Sequence, residues 1–252
     1  TGAFDPERAR AVVAGAHTRD AQAAPKAPAA AYLARRHFSA SLADRLQRRP
    51  FLVGVERLWL IYQLLDALAH AHARGVVHGD VRSENIMVAE WCFCVLVDFA
   101  AHKPATLRDD GPAVLEHFAA GDGAQRAARC YVAPERLVRD LSPETGGSLR
   151  PPADVFAAGC VAAEILNGGA PTLDVAAALA LARAPVDRAR PPPPAVLALR
   201  PAAARAAVAA MLARDPDARG GAADHAAAVA AVAAGACGAP ADAFPALSLI
   251  HI

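Results

Sequence analysis

The stretch from 78 to 100, HGDVRSENIMVAEWCFCVLVDFA, constrains the fold more than any other part of the chain. It sets an aspartate, Asp80, five residues ahead of the amide Asn85, and a second aspartate, Asp98, behind the apolar run Cys94 to Val97. Ile86-Met87-Val88 and Cys94 to Val97 predict two short strands joined by a turn near Ala89-Glu90. Such a hairpin puts Asn85 before one strand and Asp98 after the other, so both can converge on one metal ion. Magnesium takes hard oxygen donors and few protein ligands. Transfer of a phosphoryl group from a nucleotide needs such ligands, and also a carboxylate near the acceptor hydroxyl. Asp80 can be that carboxylate. His78-Gly79-Asp80 alone would read equally well as a turn capped by Asp80, with Asn85 in a loop. Asn85 and Asp98 both in register weigh against that.

The rest of the chain predicts a mainly helical setting for this hairpin. Ser41 to Arg49 reads as a short helix ending at Pro50. A longer one covers about 55 to 74, where Leu58, Ile61, Leu65, Leu68 and His72 recur at three- and four-residue steps and Gly75 is the stop. His70 and His72 near its end are expected to complement the helix dipole and not to be ligands. Further helices are expected at 154–164, apolar nearly all round and hence buried, from Pro171–Asp174 to Arg183, at 201–212 and at 222–234. Residues 101 to 130 form a polar loop longer than a compact domain usually tolerates without a function. Pro191 to Pro194 reads as a stiff spacer. No fold is assigned to residues 1–28, which hold no Gly-rich loop and no strand-borne lysine.

Composition excludes more than it assigns. With 26 Lys plus Arg against 25 Asp plus Glu, bulk charge gives no case for nucleic-acid binding. No apolar run reaches the length of a membrane span, and no signal-peptide pattern follows Thr1. Five cysteines without CxxC spacing argue against both a disulfide framework and a zinc site, so an intracellular, reducing setting is expected. Cys92 and Cys94 can share one face of a strand.

Asp80 with Asn85, Asp98-Phe99-Ala100, Ala133-Pro134-Glu135, the run Asp154 to Glu164 and Asp215-Pro216-Asp217-Ala218-Arg219 occur in the order found in protein kinases. Residues 31–235 therefore resemble a kinase C-terminal lobe, an α+β, mainly α-helical fold with a short β-hairpin at the catalytic loop. The activation segment would span 98–135, residues 1–30 would be an ill-defined remnant of the N-terminal lobe or linker, and 236–252 would be a tail. The resemblance narrows on Arg49-Pro50-Phe51-Leu52, His78 to Asn85, Lys103-Pro104, Cys130-Tyr131 before Ala-Pro-Glu-Arg, and Gly169 to Thr172. These are similar to the kinase-like regulatory subunit of the class III phosphatidylinositol 3-kinase complex.

That resemblance implies a serine/threonine protein kinase, or a nucleotide-binding scaffold of kinase shape. Asp80 would be the base, Arg82 a phosphate contact, and Asn85 and Asp98 the ligands of magnesium on ATP or another purine nucleotide. His78, Glu135, Asp154 and Arg219 would be structural, with Asp154 bracing the catalytic-loop backbone and Arg219 pairing with Glu135. Asp154 can equally be an N-terminal capping carboxylate after Pro151-Pro152, and the two roles are compatible. The implied partners are the lipid kinase catalytic subunit and its autophagic and endosomal complex, with a protein substrate left unidentified. The implied location is cytoplasmic, peripheral on endosomal and autophagic membranes, with attachment through N-terminal lipidation outside this sequence.

Three positions depart from the kinase pattern. Gly79 replaces an arginine that clamps a phosphorylated activation loop, so no phosphate-dependent ordering of 101–130 is expected. Ala100 replaces a glycine and narrows the backbone range there. Arg82 stands where kinases carry a lysine, keeping the charge with another donor geometry. Half of the nucleotide cradle is missing from 1–28, so the fragment alone is expected to be inactive. Small-molecule phosphotransferases share His-Gly-Asp-x-x-x-x-Asn but lack counterparts of Ala133–Glu135 and Asp215–Arg219. Residues 247–252 read as a sequencing-adapter artefact, the alternative being an apolar tail on the last helix.

Overall fold

The computed structural model describes residues 37–89, 92–99, 129–137, 149–184, 193–199 and 201–238. The chain divides into two units, Thr1–His37 and Phe38–Ile252, and the elements below belong to the second. The expectations for residues 1–28, for 100–128 and for the tail beyond 238 concern residues outside those described.

Helix α1 (Leu42–Gln47) starts at a capping box in which Ser41 Oγ accepts from Asp44 N and Asp44 accepts from Ser41 N. Helix α2 (Gly54–His72) buries Leu58, Ile61, Leu65 and Leu68, the residues at helical spacing. It ends where Gly75 takes φ +71 and Val76 N–H returns to the Ala71 carbonyl at 3.0 Å, a left-handed cap for which glycine carries no Cβ penalty.

A single 3₁₀ turn, Ser83–Asn85, leads into β1 (Ile86–Val88). It pairs antiparallel with β2 (Cys94–Leu96), in register Ile86 with Leu96, Met87 with Val95 and Val88 with Cys94. Cys92 lies ahead of β2 with φ +58, so it does not share a strand face with Cys94.

The short α3 (Pro134–Leu137) precedes α4 (Pro151–Leu166), which starts three residues before Asp154 because Pro151 and Pro152 fit a helix's first turn. Its residues Ala153 to Ile165 are all buried, as its apolar surround requires. Asp174 caps α5 (Val175–Arg183) through Ala177 N. Pro194 opens a short helix, α6 (Pro194–Leu197), so the spacer reading fails at its last residue for the same first-turn reason. Then come α7 (Ala202–Met211) and α8 (Ala222–Cys237), the latter three residues longer than its alanine run predicts.

The main core joins α2, α4, α7 and α8, with Leu60, Leu64, Phe156, Val161, Val208 and Val229 buried together. Removing such side chains from water contributes about 1.5–3 kcal/mol each. A second cluster of Cys130, Val132, Leu137, Ala178 and Ala182 fastens α3 to α5. The hairpin sits on α2, and α1 sits on the hairpin. The loop between α2 and β1 is thereby held over the N-terminal end of α4.

Candidate active site

Asp154 is the anchor. Its carboxylate is 1% exposed, and a charge so buried must be met by donors. Oδ2 accepts from His78 N at 2.7 Å and lies 3.0 Å from His72 Nε2, while Oδ1 accepts from Gly79 N at 2.8 Å. As the fourth residue of α4, Asp154 therefore braces the loop and does not cap its own helix. His72 corrects the dipole reading: it is a partner of Asp154, reached because α2 and α4 pack together.

His78 joins the loop to the end of the hairpin. Its Nε2 donates to the Val97 carbonyl at 2.8 Å, and its Nδ1 then accepts from Asp80 N at 3.2 Å. The ring also meets Phe99 edge-on at 4.5 Å.

Asn85 Nδ2 donates to both Asp80 O (2.9 Å) and Asp80 Oδ2 (3.0 Å). Both partners are acceptors, so the amide must present its NH₂ to Asp80 and its Oδ1 to the other side. Val97 N–H meets the Asn85 carbonyl at 2.9 Å, so Asp98 stands one peptide beyond Asn85's backbone partner. Asp98 is exposed and takes φ +70, a left-handed conformation that a short polar side chain tolerates best among non-glycine residues. Asn85 and Asp98 thus offer an amide oxygen and a carboxylate, the hard-donor pair suited to a magnesium ion shared with phosphates. Among the described residues no group of three or more His, Cys, Asp or Glu could hold a metal by itself. Arg82 Nε lies 3.6 Å from Asp80 Oδ2.

The segment 129–137 closes the site from the other side. Tyr131 donates to Glu164 Oε2 at 2.6 Å and is 2.9 Å from Ser83 Oγ, while Arg129 Nη1 stands 3.2 Å from Glu164 Oε1. Burial pushes the Glu164 carboxyl above its ordinary range, against the Tyr131 bond and the Arg129 charge. Burial also raises the Tyr131 phenol, helped by Glu164 and Glu84. Arg136 donates to Gly79 O at 2.8 Å.

Arg219 pairs with Glu135 through two bonds, Nη1 to Oε1 at 2.6 Å and Nη2 to Oε2 at 2.8 Å. Its remaining N–H groups reach the carbonyls of Ala213, Pro152 and Arg214, and its guanidinium lies over the Phe156 ring at 4.9 Å.

The structure therefore brings Asp80, Arg82 and Asn85 into contact, sets Asp98 beside them along the backbone, and hangs the loop on His78 and Asp154. Sequence reasoning missed His72, Ser83, Arg129, Tyr131, Glu164 and Arg136. Glu164 was open to detection, since a carboxylate inside an otherwise apolar helix needs a buried partner.

Comparison with known proteins bears on the same residues. The family model described as Protein kinase domain matches residues 26–228. The chain is 40% identical over 161 residues to a serine/threonine-protein kinase VPS15 of Arabidopsis thaliana, covering 63% of this chain and 11% of that protein. It is 40% identical over 151 residues to the VPS15 of Saccharomyces cerevisiae (58% of this chain, 10% of that protein). Against the Schizosaccharomyces pombe vps15 the identity is 42% over 139 residues (54% and 8%). The chain thus spans only a tenth or so of the length of these relatives.

Proposed function

Since the chain belongs to the protein kinase domain family, we propose that it is the loop-bearing lobe of a VPS15-like serine/threonine kinase-type regulator. Residues 31–235 form that lobe and 98–135 its activation segment. The whole protein scaffolds and regulates a class III phosphatidylinositol 3-kinase on endosomal and autophagic membranes. The relatives named as VPS15 kinases and the motifs quoted above support this reading.

The observation that carries the chemistry is the Asp80–Asn85 pair with Asp98 one peptide from Asn85's backbone partner. Bound magnesium–ATP would supply the transferable phosphoryl group and neutralise its charge. Asn85 and Asp98 would hold the cation. Asp80 faces the acceptor hydroxyl of a serine or threonine and takes its proton. Asn85 Nδ2, bonded to Asp80 Oδ2, fixes the direction of that carboxylate.

A scaffold that binds nucleotide without transfer is the second reading, favoured by Arg82. Its Nε stands 3.6 Å from Asp80 Oδ2, so the carboxylate that would meet the acceptor is already engaged by a neighbouring side chain.

The test uses the full-length protein with magnesium–ATP and a serine/threonine peptide. Transfer that disappears in Asp80→Asn supports the enzyme. Nucleotide binding without transfer, lost in Asp98→Asn, supports the scaffold. If the full-length protein binds no magnesium–nucleotide, both readings fall.

A further inference from the structure

Gly79 holds the least constrained backbone in the loop, with φ +77 and no side chain. Its orientation decides where Asp80, the next residue, points. Two peptide planes meet at its Cα. The plane before it is fixed by Asp154, which takes the N–H groups of both His78 and Gly79. The plane after it carries the Gly79 carbonyl and the Asp80 N–H, and that N–H meets His78 Nδ1 at 3.2 Å. Rotation about Gly79 ψ would swing this plane and pull Asp80 against its two bonds from Asn85 Nδ2. What meets the carbonyl is Arg136 Nη1, at 2.8 Å from a side chain 5% exposed.

We propose that Arg136 is a positioning residue: its guanidinium holds the second Gly79 peptide plane and so, together with Asn85, sets the direction of Asp80. Kinases of the pattern cited above carry a cation at position 79 itself. Here the cation reaches the same peptide from α3, one residue after the Glu135 that is bonded to Arg219. Asp154, Asp80 and Glu135 surround the buried guanidinium with negative charge, which opposes the lowering of its pKa by burial. The segment 129–137 and the Asp80 loop are thus held together without a phosphate group. The effect on transfer rests on the phosphoryl-transfer reading above, whereas the placement of the loop does not.

The test compares wild type, Arg136→Lys and Arg136→Gln in the full-length protein, by amide hydrogen exchange across 76–82 and by transfer kinetics. Losing a charge-assisted bond should speed local exchange by about tenfold or more in Arg136→Gln. Exchange in α2 and α4 should stay unchanged, and Arg136→Lys should fall between Gln and wild type because it keeps one donor and the charge. Where transfer is present, kcat falls in Arg136→Gln with KM for nucleotide unchanged. Wild-type exchange at 76–82 in Arg136→Gln overturns the proposal. So does a uniform rise through α2 and α4, which would mark Arg136 as core packing only. Should Arg136→Gln not fold, Arg136→Lys decides alone: a rise confined to 76–82 supports the role, and no rise or a general one refutes it. A full-length protein that neither transfers phosphate nor binds nucleotide sinks the functional reading, while the exchange result still decides Arg136.

Discussion

Replacing Arg219 with lysine should destabilise the domain severely while leaving the formal charge unchanged. All five guanidinium N–H groups are used, on two carboxylate oxygens and three backbone carbonyls between 2.6 and 3.1 Å. An ammonium has three donors on one atom and cannot span the fork. At least two acceptors lose their partner where the arginine side chain is fully buried. At about 1–3 kcal/mol for each buried group left unsatisfied, the substitution costs about 2–6 kcal/mol. Arg219→Met also strands the Glu135 carboxylate, and breaking one side of a buried pair costs about 3–5 kcal/mol. Glu135 keeps 14% of its side chain exposed, so water recovers part of that second cost. Against a total stability of about 5–15 kcal/mol, either change is a large fraction. The assay is urea unfolding of the purified chain, read as a shift of midpoint at constant slope. A change in Arg219→Lys below about 0.5 kcal/mol, the size of an ordinary surface substitution, would show that the fork contributes nothing beyond charge.

Three further outcomes are expected. Gly159→Ala should lower the melting temperature, because the new Cβ would sit 2.8 Å from Met211 Cβ and 3.1 Å from Leu212 Cδ2. Overpacking of about 1–3 kcal/mol should outweigh the gain of about 1 kcal/mol in helix propensity, and a stabilised variant would refute this packing of α4 on α7. The Glu164 carboxyl, raised by burial, contributes stability that is present below its unfolded pKa and lost as pH rises through its folded one. Wild type should therefore lose stability relative to Glu164→Gln over that rise in denaturant titrations, and a relative gain would contradict the sign. Burial pushes the Cys130 thiol up to about 11 and Cys94 to about 12, and raises Cys160 well above its ordinary value. Iodoacetamide at neutral pH should leave all three unlabelled in the folded chain, since the thiolate is the reactive form, and rapid labelling at any of them would count against its burial.

The framework of the lobe is legible in the sequence wherever period and caps are strong. Leu58, Ile61, Leu65 and Leu68 announce α2, Gly75 its end, and the apolar surround of α4 its burial. The hairpin follows from two apolar runs and a turn. At the site, spacing alone brings Asp80 and Asn85 together, because five residues through a 3₁₀ turn close a local ring. What the sequence hides are partners distant along the chain. His72 and Asp154 are 82 residues apart, and Arg136 and Gly79 are 57 apart. Those contacts depend on how α2, α3 and α4 pack, and a histidine at a helix end or an arginine after a motif carries no local mark of its destination.

Asp154 shows why the loop's geometry belongs to the fold and not to its ligands. Its carboxylate collects a side chain from α2 and two backbone N–H groups from the loop, and it is itself carried on α4. The packing of α2 on α4 is hydrophobic, through residues such as Leu65, Leu68, Phe156 and Val161 that are almost wholly buried. The loop therefore inherits its position from the core, and Arg136 adds the hold from α3. An enzyme and a nucleotide-binding scaffold would need the same preformed loop, since both must set Asn85 and Asp98 toward one cation. They differ in the role of Asp80. In the enzyme its carboxylate meets an acceptor hydroxyl, whereas in the scaffold its contact with Arg82 serves only to order the loop. The choice between the two readings thus rests on Asp80 and its neighbour beside an otherwise common architecture, and Arg82→Gln tests that neighbour: transfer that falls marks Arg82 as the phosphate contact, and transfer that rises marks its pair with Asp80 as a restraint.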